Sequence, residues 1–299
     1  MKKVFIIILT VLAAASCRTG DLFERNAYSL ETSTRMAGEI VAGAPGYFGH
    51  IKSDKVTNVG QGVSLLDLNC LNMNGYSVRM LLYKVSLGSA TLDVALPSGE
   101  NKSGLTSVLA GGLDAQVRVL GAVNGDAADK NKSAEGIIYR KGTAVKAAFS
   151  EGSKDNIFAI LKEGTAVIAD QSRYAAIRPS LYTAIGTRDI ILRDGFVAED
   201  ATPKEEARTF VAVSQDGMTV WLGVVDGVYF YYSNGISCSD LATVLKAAGA
   251  WNAALLNSGN VTTLVKRDEA GEVRFPVVNT PANKGFEQAS VNALAIIEN

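Results

Sequence analysis

Apolar residues recur along this chain in short alternating runs separated by glycine-bearing turns, a pattern that predicts many strands and few helices. Residues 77–87 alternate and are rich in Val, Leu and Tyr. Residues 90–96 repeat the pattern after a Gly-Ser turn, so the two are expected to pair as a hairpin. Further strands are expected at 116–123, 136–139, 144–149, 157–161, 166–168, 190–192, 210–214, 219–225, 228–232, 253–256 and 291–297. Asp194-Gly195, Asp216-Gly217 and Asp226-Gly227 mark turns between several of them. Residues 105–113 read as a short helix. A clearer helix covers about 238–248, where Ser237-Cys238-Ser239-Asp240 fits a capping box. Leu241, Val244, Leu245 and Ala248 then form one face, and Gly249 supplies the stop. No repeat and no linker interrupts this run, so residues 61–299 are expected to form a single α+β domain with strands in the majority.

The first residues follow a different pattern. Lys2 and Lys3 precede an apolar stretch from Val4 to Ala15 broken only by Thr10. The stretch is shorter than the roughly 20 residues a membrane-spanning helix needs, and it reads as a secretory signal covering residues 1–16. Ala14-Ala15-Ser16-Cys17 resembles a bacterial lipobox, with Ala14 where Leu is usual. Cys17 is therefore expected to carry the lipid that attaches the chain to an envelope membrane. Residues 17–60, polar and mixed, are expected to act as a tether.

Composition narrows the chemistry. A 47% apolar content with 29 glycines and 20% charged residues describes a globular protein with many turns. The formal net charge of −1, with basic residues scattered, provides no electrostatic footprint for nucleic acid. Apart from Cys17 only Cys70 and Cys238 remain, and their spacing does not require a disulfide. The single histidine, His50, lies in a Gly- and aromatic-rich stretch that reads as a turn. Histidine-rich zinc sites are thereby excluded, no residue is assigned as a metal ligand, and the sequence implies no cofactor. Acid–base chemistry must rest mainly on carboxylates.

Two stretches of small and oxygen-bearing residues stand where a ligand can approach the backbone: Asn124-Gly125-Asp126 and Asn257-Ser258-Gly259-Asn260. Each is also a common turn sequence. Their order among other blocks is more telling. Ala122-Val123-Asn124-Gly125-Asp126 comes first, then Glu135-Gly136-Ile137-Ile138 with Lys141-Gly142. Phe158-Ala159-Ile160 with Lys162-Glu163-Gly164 follows, and Ile191-Leu192-Arg193-Asp194-Gly195 after it. Ala207-Arg208-Thr209, Val225-Asp226-Gly227, Ser233 to Ile236 and the segment from Ala253 to Val265 complete the series. In this succession the chain from Gly121 onward resembles the phosphodiester glycosidase family.

The resemblance implies a mixed α/β domain whose pocket is formed by these loops, and hydrolysis of a sugar-1-phosphodiester. It points to Asp126, Glu135 and Asp226 as candidate catalytic carboxylates. Asn124, Gly125, Arg208, Thr209, Asn257, Gly259, Asn260 and Thr263 are candidate substrate-binding residues, with Arg208 expected to hold the phosphate. The chain also departs from the family pattern. Ala127-Ala128 stand where Phe-Phe is usual, and the family's Leu-Asp-Gly-Gly-Gly-Ser reads Leu256-Asn257-Ser258-Gly259-Asn260-Val261. Gln288 stands in the place of an Arg. Asp to Asn removes a proton acceptor, and Arg to Gln removes a bidentate phosphate partner. Two functions therefore stand side by side: a hydrolase of sugar-1-phosphodiesters, and a descendant that binds surface glycans or serves as a structural lipoprotein without hydrolysis.

Overall fold

The computed structural model describes residues 28–199, 201 and 203–299. The signal segment and Cys17 lie outside the described residues. Among those residues seventeen strands form three sheets, and every strand pairing in them is antiparallel.

The largest sheet holds β1 (Phe48–Gly60), β2 (Val63–Asn72), β3 (Ser77–Ser86), β11 (Ile190–Arg193), β12 (Phe196–Val197), β13 (Arg208–Val213), β14 (Thr219–Val225) and β15 (Asn252–Leu255). Its order is β1-β2-β3-β14-β13-β15-β11-β12. A second sheet is made of β6 (Ile138–Arg140), β7 (Thr143–Lys146), β8 (Asn156–Leu161), β9 (Ala166–Ala169) and β10 (Leu181–Thr187), in the order β7-β6-β10-β8-β9. The third runs β16-β5-β17-β4, from β4 (Ala90–Ala95), β5 (Val119–Asn124), β16 (Leu264–Lys266) and β17 (Ala293–Glu298).

Period-2 alternation decides how the layers stack. On β3, Leu81, Tyr83 and Val85 enter one core cluster while Met80 and Leu82 enter another. The first cluster is shared with β4, β5, β8, β10 and β17, so it lies between the large sheet and the two smaller ones. The second is covered by helices α1 (Arg35–Gly43) and α4 (Cys238–Ala247). Helix α2 (Thr106–Asp114) packs Leu109, Ala110 and Leu113 on the far face of the four-stranded sheet. A one-turn helix, α3 (Tyr174–Ile177), lies beside the five-stranded sheet. The capping expectation for α4 holds in part: the Ser237 side chain accepts from Asp240 N and Gly249 takes φ +102°, but the Asp240 carboxylate accepts from Ser237 Oγ and not from a backbone N–H.

Several expectations need correction. Residues 77–87 and 90–96 do not form a hairpin, because β2 and β14 occupy both edges of β3 and β4 joins β17 in another sheet. Residues 228–232 are not a strand. Residues 35–60 are not a tether. Thr34 caps α1, whose Ala37, Ile40 and Val41 are buried, and β1 pairs with β2 along its length. His50 sits in β1 rather than a turn, with Nδ1 2.9 Å from the backbone of Ser29. Cys70 and Cys238 are both buried, with no disulfide joining them, and burial pushes the Cys70 thiol up to about 12.

Candidate functional site

The antiparallel pairings bring one set of strand ends together. Asn124 at the end of β5 is opposite Ala293 at the start of β17, and Asn124 N donates to Thr263 O just before β16. Arg208 at the start of β13 is opposite Val225 at the end of β14, and Leu256 N, beyond β15, donates to Thr209 O. Asn257 N donates to Gly125 O, and Arg188 N to Leu255 O. The Asn-Gly-Asp, Arg-Thr, Asp-Gly and Asn-Ser-Gly-Asn blocks thus meet along one rim, although they lie up to 136 residues apart as Asn124 and Asn260 do.

Asn124 joins the blocks. Fully buried, it accepts at Oδ1 from Thr209 Oγ1 at 2.8 Å and Thr263 N at 3.0 Å. Its Nδ2 donates to Asn257 O at 2.6 Å. Ser258 Oγ accepts from Thr209 N at 3.1 Å and donates to Leu256 O at 3.1 Å. Gly259 takes φ +78°, which suits glycine, and donates its N–H to Ala207 O at 3.0 Å. Asn124, Thr209 and Thr263 therefore position the rim rather than reach out from it. Arg208 is also turned inward, donating from Nη2 to Lys204 O at 2.8 Å and from Nε to Ile236 O at 3.3 Å, with Nη1 3.6 Å from Glu206. The Asn257 side chain is half-buried and makes no hydrogen bond to the described residues, and Asn260 is exposed.

At one end of the rim stands an acidic group that sequence reasoning only half identified. Asp126 is buried, with Oδ1 accepting from Ala127 N at 2.7 Å and Oδ2 from Gly136 N at 2.7 Å. Asn292 Oδ1 accepts from Asp126 N at 2.8 Å and crowds Gly125, whose ideal Cβ would lie 2.0 Å from that oxygen. The Asp155 carboxylate, fully buried just before β8, meets Asp126 over a contact between Gly136 and Gly186. An ideal Cβ on Gly186 would lie 2.8 Å from Asp126 Oδ2 and 3.0 Å from Asp155 Oδ2. Burial first, and the Asp155 carboxyl second, push Asp126 well above the ordinary carboxylate range. Burial also raises Asp155, opposed by the adjoining Asp126 carboxyl and by the Arg188 guanidinium. Arg188 Nη1 spans Asp155 Oδ1 at 2.8 Å and Glu135 Oε2 at 2.6 Å. Glu135 in turn lines a surface cavity of about 320 Å³ together with Asp129, Asn131, Ser150 and Ser153.

Asp226 anchors the other end. Its oxygens accept from Asn279 Nδ2 at 2.9 Å, Thr280 N at 3.1 Å and Tyr232 OH at 3.0 Å, with Arg79 Nη1 3.6 Å away. Burial raises its pKa, and these partners pull it back. Arg79 also holds Asp67 through two bonds and touches Tyr232 OH. Asn279 continues the belt by donating to Thr262 O and accepting from Leu264 N.

Of the three expected carboxylates, Asp126 and Asp226 are each 1% exposed, and only Glu135 is open to solvent. Gln288 is exposed. Sequence reasoning missed Asp155, Arg188, Asn292, Arg79, Tyr232 and Asn279. Asp155 carries the one usable signal: an acid abutting a buried apolar run at 157–161, much as Asp126 follows the run at 116–123. Among the described residues no group of three or more His, Cys, Asp or Glu side chains is set to hold a metal ion, and no helix is long and apolar enough to cross a membrane.

These blocks, far apart in sequence, are gathered at one rim of an α+β domain. The chain belongs to the phosphodiester glycosidase family, which residues 118–297 match. Its fold is similar to the catalytic domain of zebrafish N-acetylglucosamine-1-phosphodiester alpha-N-acetylglucosaminidase, auto-inhibited by pro-peptide, at 20% identity and a TM-score of 0.61. That likeness covers 82% of this chain and 87% of the other. A putative exported protein from Burkholderia pseudomallei K96243 is similar at 13% identity and a TM-score of 0.55, over 75% and 74% of the two chains. A hypothetical protein from Synechocystis is similar at 11% identity and a TM-score of 0.54, over 82% of this chain and 64% of that one. No curated protein matches the chain.

Proposed function

We propose that this protein hydrolyses the glycosidic bond between a sugar and a phosphodiester group, at the Glu135–Arg188 end of the rim. The observation that carries the reading is the Glu135 carboxylate. Its side chain is 25% exposed, lies 2.6 Å from Arg188 Nη1 and borders a cavity of about 320 Å³.

One accessible carboxylate suffices for this bond on chemical grounds. Glycosidases ordinarily use a second carboxyl to protonate a poor leaving group. Here the leaving group is a phosphate monoester, whose second pKa is about 6, so it departs without strong protonation. Glu135 takes a proton from water as the water oxygen attacks the anomeric carbon. The carbon–oxygen bond to phosphate breaks with its electron pair going to the phosphate oxygen, and Arg188 offsets that charge. The test is turnover of a panel of sugar-1-phosphodiesters by the purified protein and by Glu135→Gln. Loss of the base should reduce kcat by about 10²–10⁴-fold. Undiminished turnover by the variant would overturn the assignment of Glu135.

A second reading is binding without hydrolysis. It is favoured by Asn257 in the place of the family's Asp and by the burial of Asp126 and Asp226. Under it neither the parent nor Asn257→Asp turns over any of these compounds while sugars still bind. Turnover by the parent removes it.

The place of action belongs to the same proposal. The lipobox-like sequence at Cys17 supports export and lipid attachment to a bacterial envelope membrane, on its periplasmic or cell-surface face, with envelope glycans as ligands. Metabolic labelling with a fatty-acid analogue should mark the parent and not Cys17→Ala; equal labelling would refute the anchor.

A further inference from the structure

Beyond Asp226 the chain runs Gly227-Val228-Tyr229-Phe230-Tyr231-Tyr232-Ser233-Asn234-Gly235, and it folds as a loop across the start of β3. Three rings stand out from it and from the neighbouring β2–β3 turn. Tyr231 is 91% exposed, Phe230 64% and Tyr76 41%. They contact one another edge to face, with centroids 6.5 Å apart for Tyr76 and Phe230 and 5.1 Å apart for Phe230 and Tyr231.

The loop that holds them is a built one. Tyr229 N donates to Ser233 O at 2.9 Å, and Tyr229 OH to Pro281 O at 3.2 Å. Ser233 Oγ donates to Asp226 O at 2.5 Å, Asn234 Nδ2 to Phe230 O at 3.1 Å and Asn234 N to Ser77 O at 2.8 Å. Together these bonds hold Val228 at φ +63°, a left-handed conformation that a β-branched residue adopts only under constraint. An apolar patch fixed this firmly in water is the mark of an interaction site.

Its chemistry selects the partner. The segments 72–77 and 227–236 contain no Asp, Glu, Lys or Arg; the Asn74 amide and the Tyr76 and Tyr231 hydroxyls face water, while Asn72, Tyr229, Tyr232 and Ser233 are bonded within the fold. The charges alongside are engaged. Lys52 Nζ lies 2.6 Å from Ser77 Oγ, and Arg79 is paired with Asp67 and Asp226. An anionic membrane surface or a nucleic acid would call for free basic side chains. Aromatic faces ringed by uncharged donors and acceptors suit a ligand with apolar C–H faces and hydroxyl edges, which is a neutral saccharide. Tyr232 ties the patch to the rim, since its OH bonds Asp226 while its neighbours carry the rings.

We propose that Tyr76, Phe230 and Tyr231 form a stacking platform for neutral sugar units of a glycan whose phosphodiester end reaches the rim. The choice of ligand rests on the sugar-phosphodiester reading above; the platform itself is tested by binding. The full chain is titrated calorimetrically with four neutral oligosaccharides, mannohexaose, laminarihexaose, cellohexaose and chitohexaose, beside a Phe230→Ala/Tyr231→Ala variant. Both side chains are exposed, so the variant should keep the parent's unfolding midpoint. At least one oligosaccharide should bind the parent, and the variant should bind it at least tenfold more weakly. Turnover of a monosaccharide 1-phosphodiester should be the same in both. The proposal is overturned if the parent binds none of the four, or if the variant binds undiminished. It is equally overturned if the variant alters only vesicle binding or oligomeric state, which would assign the patch to a lipid surface or to a second copy of the chain. Sugar binding without turnover would remove the hydrolase reading and leave the platform standing, and turnover without sugar binding would do the reverse.

Discussion

Asp155→Asn tests the buried carboxyl pair directly. In the parent, Asp155 Oδ2 is buried with no donor, and it faces Asp126, whose raised pKa comes from burial and from Asp155. A proton held between the two satisfies both oxygens and removes the repulsion of adjacent carboxylates. The native state then binds one proton that the unfolded chain releases above the ordinary value of 3.8. The sign follows from proton linkage: for a carboxyl with a raised native pKa, the contribution to stability is full below 3.8 and is lost as pH rises toward the raised value. The slope is about 1.4 kcal/mol per pH unit, so two units of pH cost about 2.7 kcal/mol. The amide introduced by the substitution keeps one oxygen for Arg188 and presents a permanent N–H to Asp126, so the ionised Asp126 is accommodated and the slope shrinks. Urea unfolding of both proteins from pH 4.5 to 8 measures the difference. Asp54, Asp114 and Asp170, whose pKa values lie below the ordinary range, act alike in both proteins and cancel. The variant should gain on the parent steadily as pH rises. A difference that stays flat across the range would refute the shared proton.

Gly186→Ala should cost about 3 kcal/mol or prevent folding, because the new Cβ would lie 2.6 Å from Gly136 Cα as well as against Asp126 Oδ2; thermal unfolding reads it, and a loss under about 1 kcal/mol would show that the two backbones separate readily. Asn124→Ala removes three hydrogen bonds at a fully buried position and should cost about 3 kcal/mol in urea unfolding. Stability within about 0.5 kcal/mol of the parent would mean that Asn124 does not join the rim. Ser258→Gly restores the family residue yet leaves Thr209 N without its acceptor, so a loss of about 1 kcal/mol is expected; equal or greater stability would show that the serine bond contributes nothing.

Much of the strand content was legible because alternation is local. The runs ending in β5, β8, β13 and β14 were visible as apolar segments, and the α4 cap was visible as Ser237 and Asp240. What alternation does not encode is partner choice. Residues 77–87 and 90–96 look like a hairpin until β14, more than 130 residues later, takes the edge of β3. The Val228–Tyr232 stretch has the composition of a strand, but the rings that suggest one face water, and Ser233 and Asn234 bend the chain back on itself. The strand within residues 35–60 is hard to read from sequence because β1 lies at a sheet edge, where one exposed face dilutes the apolar signal.

The site was legible as a list of blocks and not as a division of labour among them. Spacing alone cannot separate a residue that meets ligand from one that bonds the next block, and Asn124 and Thr209 prove to be the second kind. The altered Asn257-Ser258-Gly259-Asn260 block makes the same point from the opposite side. A side chain without partners at position 258 would stand idle at the end of β15. Ser258 instead closes Thr209 N and Leu256 O, while Gly259 keeps the left-handed conformation the turn requires. Ser258 is thus bonded into its surroundings, and the half-buried Asn257 amide is left without a bond to the described residues. A neutral amide there offers a donor and an acceptor to a sugar hydroxyl and no negative charge to repel a phosphate. Under the hydrolase proposal, proton transfer then falls to Glu135, the one expected carboxylate with an open face.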